Sequence, residues 1–299
     1  MNKGLGIFVA AGLAATLATI GHAEELTGTL KNVKDSGTIS IGHRETSIPF
    51  SYYDNDQKVV GYSQDIALQL VDAVKAHLGM AELNVNLVPV TSQTRIPLLI
   101  NNTIDLECGT TTNNKERQKQ IGFSTNFFII GTRLLTRNGS GISDFPDLAG
   151  KNVVVSAGTT SEKVLRQMNE AKGMDMRIIS AKDHGEAFVT LESNKAVAFM
   201  SDDAILYGEI SKAKNPADWH ITGTAQTNEV YACGMRKDDP AFKKVIDDQM
   251  AEMMKSGEMA KIYDKWFNAP IPPRDVVLGV PLGEEMKKLY AEPNDIPLQ

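Results

Sequence analysis

Two cysteines, five histidines and an aromatic content of 6% leave this 299-residue chain short of most catalytic signatures. The histidines show no metal-ligating spacing and there is no Cys-x-x-Cys, so neither a metal nor a cofactor is expected. Gly-x-Ser-x-Gly, the Walker loop and Gly-x-Gly-x-x-Gly are missing. Ser211-Lys-Ala-Lys214 fits a Ser-x-x-Lys pattern, but it ends a helix-like stretch before Asn215-Pro216 and reads as chance. Basic runs are also missing, and the net charge is −6, which argues against nucleic acid and anionic membrane as partners. After residue 23 no apolar run approaches the ~20 residues that a membrane-spanning helix needs. What remains, 42% hydrophobic and 23% charged residues, is ordinary for a folded chain long enough for two domains.

Residues 1–23 read as a signal peptide. Lys3 supplies the positive start, residues 7–20 are apolar, and Gly21-His22-Ala23 offers small residues for cleavage after Ala23. The apolar run is too short to span a bilayer, and no cysteine stands at the cleavage point to carry a lipid anchor. The expected product is secreted and soluble. In an oxidising compartment the pair Cys108 and Cys233, each in an apolar strand-like run, invites a disulfide.

Strands and helices alternate along the rest. Strands are expected over 38–42, 84–90 and 103–109, a helix over 64–78 from Ile66, Leu70, Val74 and Leu78, and a short helix over 95–100. A second series begins near Leu148, with strands over 152–156, 177–180 and 196–200 and helices over 161–171, 184–191 and 204–213. This rhythm implies α/β architecture with parallel sheets covered on both faces. Residues 133–137 and 230–236 have strand character and bound the second series. If Cys108 meets Cys233, the second series is inserted into the first domain, and two crossing segments form a hinge beside a cleft. The expected parts are lobe 1 from residues 24–131 and 230–299, and lobe 2 from 132–229. One long helix over 240–267 and a short one over 284–290 complete lobe 1.

One segment carries particular chemistry. Thr110-Thr111-Thr112-Asn113-Asn114, then Glu116 and Arg117, follow an apolar strand and precede a helical opening at 115–119. Hydroxyls, unpaired N–H groups and a guanidinium fork at such a turn make a socket for a small anion, best a carboxylate. Taken alone, the segment equally suits a helix cap followed by a surface arginine. Other polar groups fall at equivalent strand ends: Gly42-His43-Arg44, residues 91–95, Gly158-Thr159-Thr160-Ser161, Asp183-His184, and Asp202 beside Asp203. Three arginines at such ends of one lobe, on a chain of negative charge, favour a ligand.

The runs at 42–55, 60–65, 91–99 (Thr-Ser-Gln-Thr-Arg-Ile-Pro-Leu-Leu), 107–114 (Glu-Cys-Gly-Thr-Thr-Thr-Asn-Asn), 176–185, 196–204 and 270–273 resemble the periplasmic glutamate/aspartate-binding proteins of ABC transporters, in solute-binding protein family 3. The resemblance covers essentially the whole mature chain. It implies a two-lobed type II periplasmic binding fold, with the second lobe inserted in the first. It implies that Arg117 clamps the ligand's α-carboxylate with Thr112 and Thr160, and that Asp202 takes the α-ammonium with the Thr110 hydroxyl. Arg44, Ser92, Arg95 and His184 would receive the side-chain carboxylate. Thr110 is a departure, since serine is expected there.

The function implied is capture of L-glutamate and L-aspartate by lobe closure and delivery to membrane ABC permease subunits, by a periplasmic monomer that is not an enzyme. The alternative weighed beside it is a secreted dehydratase of prephenate or arogenate type, for which Glu107 and Glu229 are the candidate acids. A sensor ectodomain would need a later membrane span, and no run is long enough.

Overall fold

Ile39 and Ile41, both fully buried, place β1 (Thr38–His43) inside a five-stranded sheet in the computed structural model, which describes Met1 and residues 26–298. The remainder of the expected signal peptide, and its cleavage point, lie outside the described residues. The sheet order is β5–β1–β6–β16–β8, elements being numbered in chain order, with β5 (Asn84–Pro89), β6 (Leu106–Glu107), β8 (Gly122–Phe123) and β16 (Gly234–Met235). β5 and β6 run parallel to β1, whereas β16 is antiparallel to β6 and β8. A small sheet of β2 (Thr46–Ser47), β3 (Ser51–Tyr53) and β4 (Val59–Val60) follows β1.

A second five-stranded sheet has the order β12–β11–β13–β10–β14, from β10 (Thr132–Arg137), β11 (Asn152–Ser156), β12 (Arg177–Ala181), β13 (Ala198–Asp202) and β14 (Trp219–Thr222). Its alternating residues feed two separate cores. Leu134, Val153, Val155 and Met200 join one cluster, while Leu135, Val154 and Phe199 join the other, as the two-residue period of a strand requires. The expected strand at 133–137 is therefore interior to this sheet, antiparallel to both neighbours, rather than only its boundary.

Between the two sheets lies a three-stranded antiparallel ribbon, β7 (Thr112–Asn113), β15 (Glu229–Tyr231) and β9 (Phe128–Ile130). The chain leaves the first lobe from β9 through Gly131 into β10, and it returns at β15. The second lobe is thus inserted, with two crossings. Phe50, Tyr62, Phe128, Tyr231 and Phe267 pack edge-on or stacked beneath the ribbon, with ring centroids about 5–6 Å apart. Cys108, just after β6, is bonded to Cys233, just before β16, across 125 residues of sequence.

The helices cover both lobes. α1 (Gly28–Ser36), α2 (Tyr62–His77), α3 (Arg95–Ile100), α7 (Pro240–Ser256), α8 (Glu258–Phe267) and α9 (Glu284–Ala291) belong to the first lobe, and α4 (Thr160–Lys172), α5 (His184–Glu192) and α6 (Asp203–Lys212) to the second. Ile66, Leu70 and Val74 line the buried face of α2 as their spacing predicts. Three expectations fail locally. The single helix over 240–267 is broken at Gly257, whose φ of 82° is left-handed and ends α7. The helix expected at 115–119 is only a short 3₁₀ turn, Arg117–Lys119, because Thr112–Asn113 is drawn into the ribbon just before it. The strand at 230–236 is likewise divided between two sheets, as β15 and β16.

Candidate functional site

Arg44 leaves the carboxyl end of β1, Arg95 opens α3 after β5, and Arg117 starts the 3₁₀ turn after β7. Two strand ends of the first sheet and the end of the ribbon strand β7 therefore bring the three guanidiniums within electrostatic reach of one another, although 73 residues of sequence separate the first from the last. All three are buried, Arg44 at 1% exposure and Arg95 at 2%. Arg44 Nη1 donates to Ser92 Oγ at 3.0 Å and to Thr110 Oγ1 at 3.4 Å. Thr110 thereby stands beside Arg44. Arg117 Nη1 donates to the Thr112 carbonyl at 3.0 Å, and Nη2 reaches the Gly158 carbonyl of the second lobe at 3.4 Å. Arg95 differs: its Nε and Nη1 are buried and meet no acceptor among the described residues.

Burial pulls Arg44 down to about 10, with Arg95 adding repulsion, and the same two causes bring Arg117 to about 10. Burial also lowers Arg95. A guanidinium is not deprotonated at neutral pH, so all three carry a charge. Among the described residues none of them forms an ion pair. A buried guanidinium with unsatisfied donors is costly, so this cluster suits an anionic occupant.

The second lobe supplies the opposite wall. Asp183 caps α5 by accepting the Glu186 N–H at 2.9 Å, which fixes His184 at the first helical position. Ser156, at the end of β11, meets His184 Nδ1 at 2.8 Å. Burial, with Arg44 and Arg95 nearby, depresses His184 far below the usual imidazole value and keeps it neutral. Thr159 caps α4 by accepting the Glu162 N–H at 3.1 Å. This places Thr160 and Ser161 in the helix's first turn, where N–H groups favour a carboxylate. The Thr160 hydroxyl itself donates to Glu229 Oε2 at 2.9 Å.

Asp202, at the end of β13, accepts from the Tyr231 hydroxyl and from Ser161 Oγ, the latter at 3.2 Å. Burial, then the carboxylate of Glu229, push Asp202 up to about 7. A cation arriving beside it would reverse that shift.

The lobes meet tightly around these groups. Gly185 N–H donates to Thr46 Oγ1 at 3.3 Å, and Lys163 pairs with Glu116. A Cβ on Gly158 would lie 2.7 Å from Gln93 Cγ, and one on Gly208 would lie 2.0 Å from the Ile48 carbonyl oxygen. A groove of about 810 Å³ between α3 and α4 has Ser92, Arg117 and Thr160 in its wall.

The structure places Arg44, Ser92, Arg95, Thr110, Thr112, Arg117, Thr160, His184 and Asp202 around one interlobe region, Thr160 half-buried and the rest buried. Sequence reasoning named Ser161 among the strand-end polar groups without giving it a role, and it missed Tyr231 and Ser156. Ser156 was open to the strand-end argument, whereas Tyr231 sits in the ribbon with no sequence signal. Glu229 was noticed only as a dehydratase acid.

Residues 39–269 match the family described as bacterial extracellular solute-binding proteins, family 3. The chain is 57% identical to an L-glutamate/L-aspartate-binding protein of Pseudomonas aeruginosa over 95% of its own length and 94% of the relative's. It is 54% identical to a glutamate/aspartate import solute-binding protein of Escherichia coli, covering 99% and 98% respectively. Among solved structures, an ancestral arginine-binding protein bound to arginine superposes with a TM-score of 0.70 at 29% identity, covering 77% of this chain and 98% of that one.

Proposed function

The chain belongs to the bacterial extracellular solute-binding proteins of family 3, and on that premise we propose that it captures L-glutamate and L-aspartate between its lobes and delivers them to an ABC permease. The observation that carries the ligand class is the buried triad Arg44, Arg95 and Arg117, with Arg95 Nε and Nη1 lacking an acceptor among the described residues. Arg117, Thr112 and Thr160 hold the α-carboxylate. Asp202 holds the α-ammonium, with the Thr110 hydroxyl completing the set. Arg44, Ser92, Arg95 and His184 receive the side-chain carboxylate. A dicarboxylic amino acid satisfies donors that glutamine or arginine would leave unpaired, and that difference is the source of selection.

The moving bodies are residues 24–131 with 230–299, and residues 132–229. Contacts from both to one ligand favour the closed form, which is what a permease reads. The protein works as a periplasmic monomer after removal of residues 1–23, and it binds without catalysing. The relatives above are named as binding proteins and lend no support to a dehydratase. No helix among the described residues is long and apolar enough to cross a membrane. Calorimetric titration with glutamate, aspartate, glutamine and asparagine tests the reading. Saturable binding confined to the two acids is expected, and heat from the amides alone would overturn it.

A further inference from the structure

Glu107 is a fully buried carboxylate that takes no part in the ligand set described above. It lies on β6, opposite Gly42 of β1 and Gly234 of β16, so bare backbone flanks it on both neighbouring strands. Thr111 donates its hydroxyl to Oε2. Oε1 has no hydrogen-bond partner among the described residues. It is packed so closely over Gly109 that a Cβ there would lie 2.4 Å from it and 2.9 Å from Arg44 Cγ. The carboxylate and the Arg44 stem thus share the space that Gly109 leaves open.

Electrostatically, Glu107 favours the charged form of Arg44, Arg95 and Arg117 alike. Asp202 does so for Arg95 and Arg117, and Glu229 for Arg117. Yet Glu107 forms no ion pair with any of them. It offsets the triad's charge through space without occupying Arg95 Nε and Nη1, which meet no acceptor among the described residues.

We propose that Glu107 is the receptor's resident counter-ion: it holds three like charges together when no acidic ligand is bound, and it thereby limits how tightly that ligand is held. Three buried guanidiniums repel one another, and an internal carboxylate offsets the repulsion. The same negative charge opposes an incoming dicarboxylate. Folding of the ligand-free protein and affinity are therefore coupled with opposite signs through one group. A receptor that must release its cargo to a permease benefits from such a ceiling. This proposal rests on the acidic amino-acid reading.

Glu107→Gln keeps the shape and an acceptor for Thr111 while removing the charge. In the full-length mature protein, calorimetry should show glutamate bound about tenfold tighter by E107Q than by wild type, with a smaller gain for glutamine. The ligand-free variant should melt lower than wild type, and saturating glutamate should raise its melting temperature by more. A role confined to packing moves affinity down or not at all, and either result in a folded E107Q overturns the proposal. If E107Q fails to fold, restoring the charge balance with R95M in the same chain should recover a folded protein. Failure of that double variant to fold also overturns it. A wild type that binds neither glutamate nor aspartate sinks the ligand reading itself, and this proposal with it.

Discussion

Replacing Arg95 by methionine separates ligand recognition from fold stability with opposite signs. The side chain is 2% exposed, and its Nε and Nη1 meet no acceptor among the described residues. Each charge-assisted hydrogen bond those donors make to a ligand carboxylate contributes roughly 1.5–3 kcal/mol. Two lost bonds amount to roughly 3–6 kcal/mol, or a glutamate affinity roughly 10²–10⁴-fold weaker at about 1.4 kcal/mol per decade. A neutral amide oxygen brings no charge to meet the guanidinium, so the preference for glutamate over glutamine should shrink. Without ligand, the same substitution removes a buried charge with unsatisfied N–H groups and keeps most of the apolar stem volume. The ligand-free variant should therefore melt no lower than wild type. Calorimetry with both ligands, and thermal unfolding with and without glutamate, measure the two halves. A ligand-free protein several degrees less stable, or glutamate affinity within threefold of wild type, would refute the assignment of Arg95 to the ligand.

The other expectations are more local. Arg117→Ala should abolish binding of every amino acid tested, because the α-carboxylate is common to all, and unimpaired glutamate binding in calorimetry would rule the role out. Asp202 is raised from 3.8 to about 7, so the folded protein binds the extra proton between those values and its contribution to ligand-free stability is lost as pH rises through that window. Binding the ligand's ammonium should expel that proton, so at pH 6 the observed binding enthalpy should vary with buffer ionisation enthalpy, and in Asp202→Asn it should not. Gly208→Ala inserts a Cβ 2.0 Å from the Ile48 carbonyl oxygen across the lobe contact, so small-angle scattering with glutamate should show incomplete closure. Reducing the Cys108–Cys233 bond, which closes a loop of 125 residues, should cost about 4–5 kcal/mol in the chain-entropy account, and an unchanged melting temperature would contradict it.

Local regularities were legible wherever an element was long enough to repeat. The four-residue spacing of Ile66, Leu70 and Val74 marked α2, and the alternation at 84–90 marked β5. The interlobe ribbon was not legible, because its strands are two or three residues long and cannot display a period. The break at Gly257 was also hidden, since one glycine in a helical pattern reads as tolerated as often as terminal.

The sequence by itself determined which chemical groups are available. It placed arginines and hydroxyls at strand ends, set the Asp183 and Thr159 caps ahead of His184 and Thr160, and excluded metal and nucleotide motifs, because these are properties of neighbouring residues. Only the tertiary structure decided which groups share a charge environment. The charge of Glu107 acting on three arginines, Tyr231 on Asp202 and Glu229 on Thr160 join residues up to 69 positions apart, brought together by strand order and the return of the chain at β15. Electrostatic energy depends on distance in space and on burial, neither of which a linear pattern records.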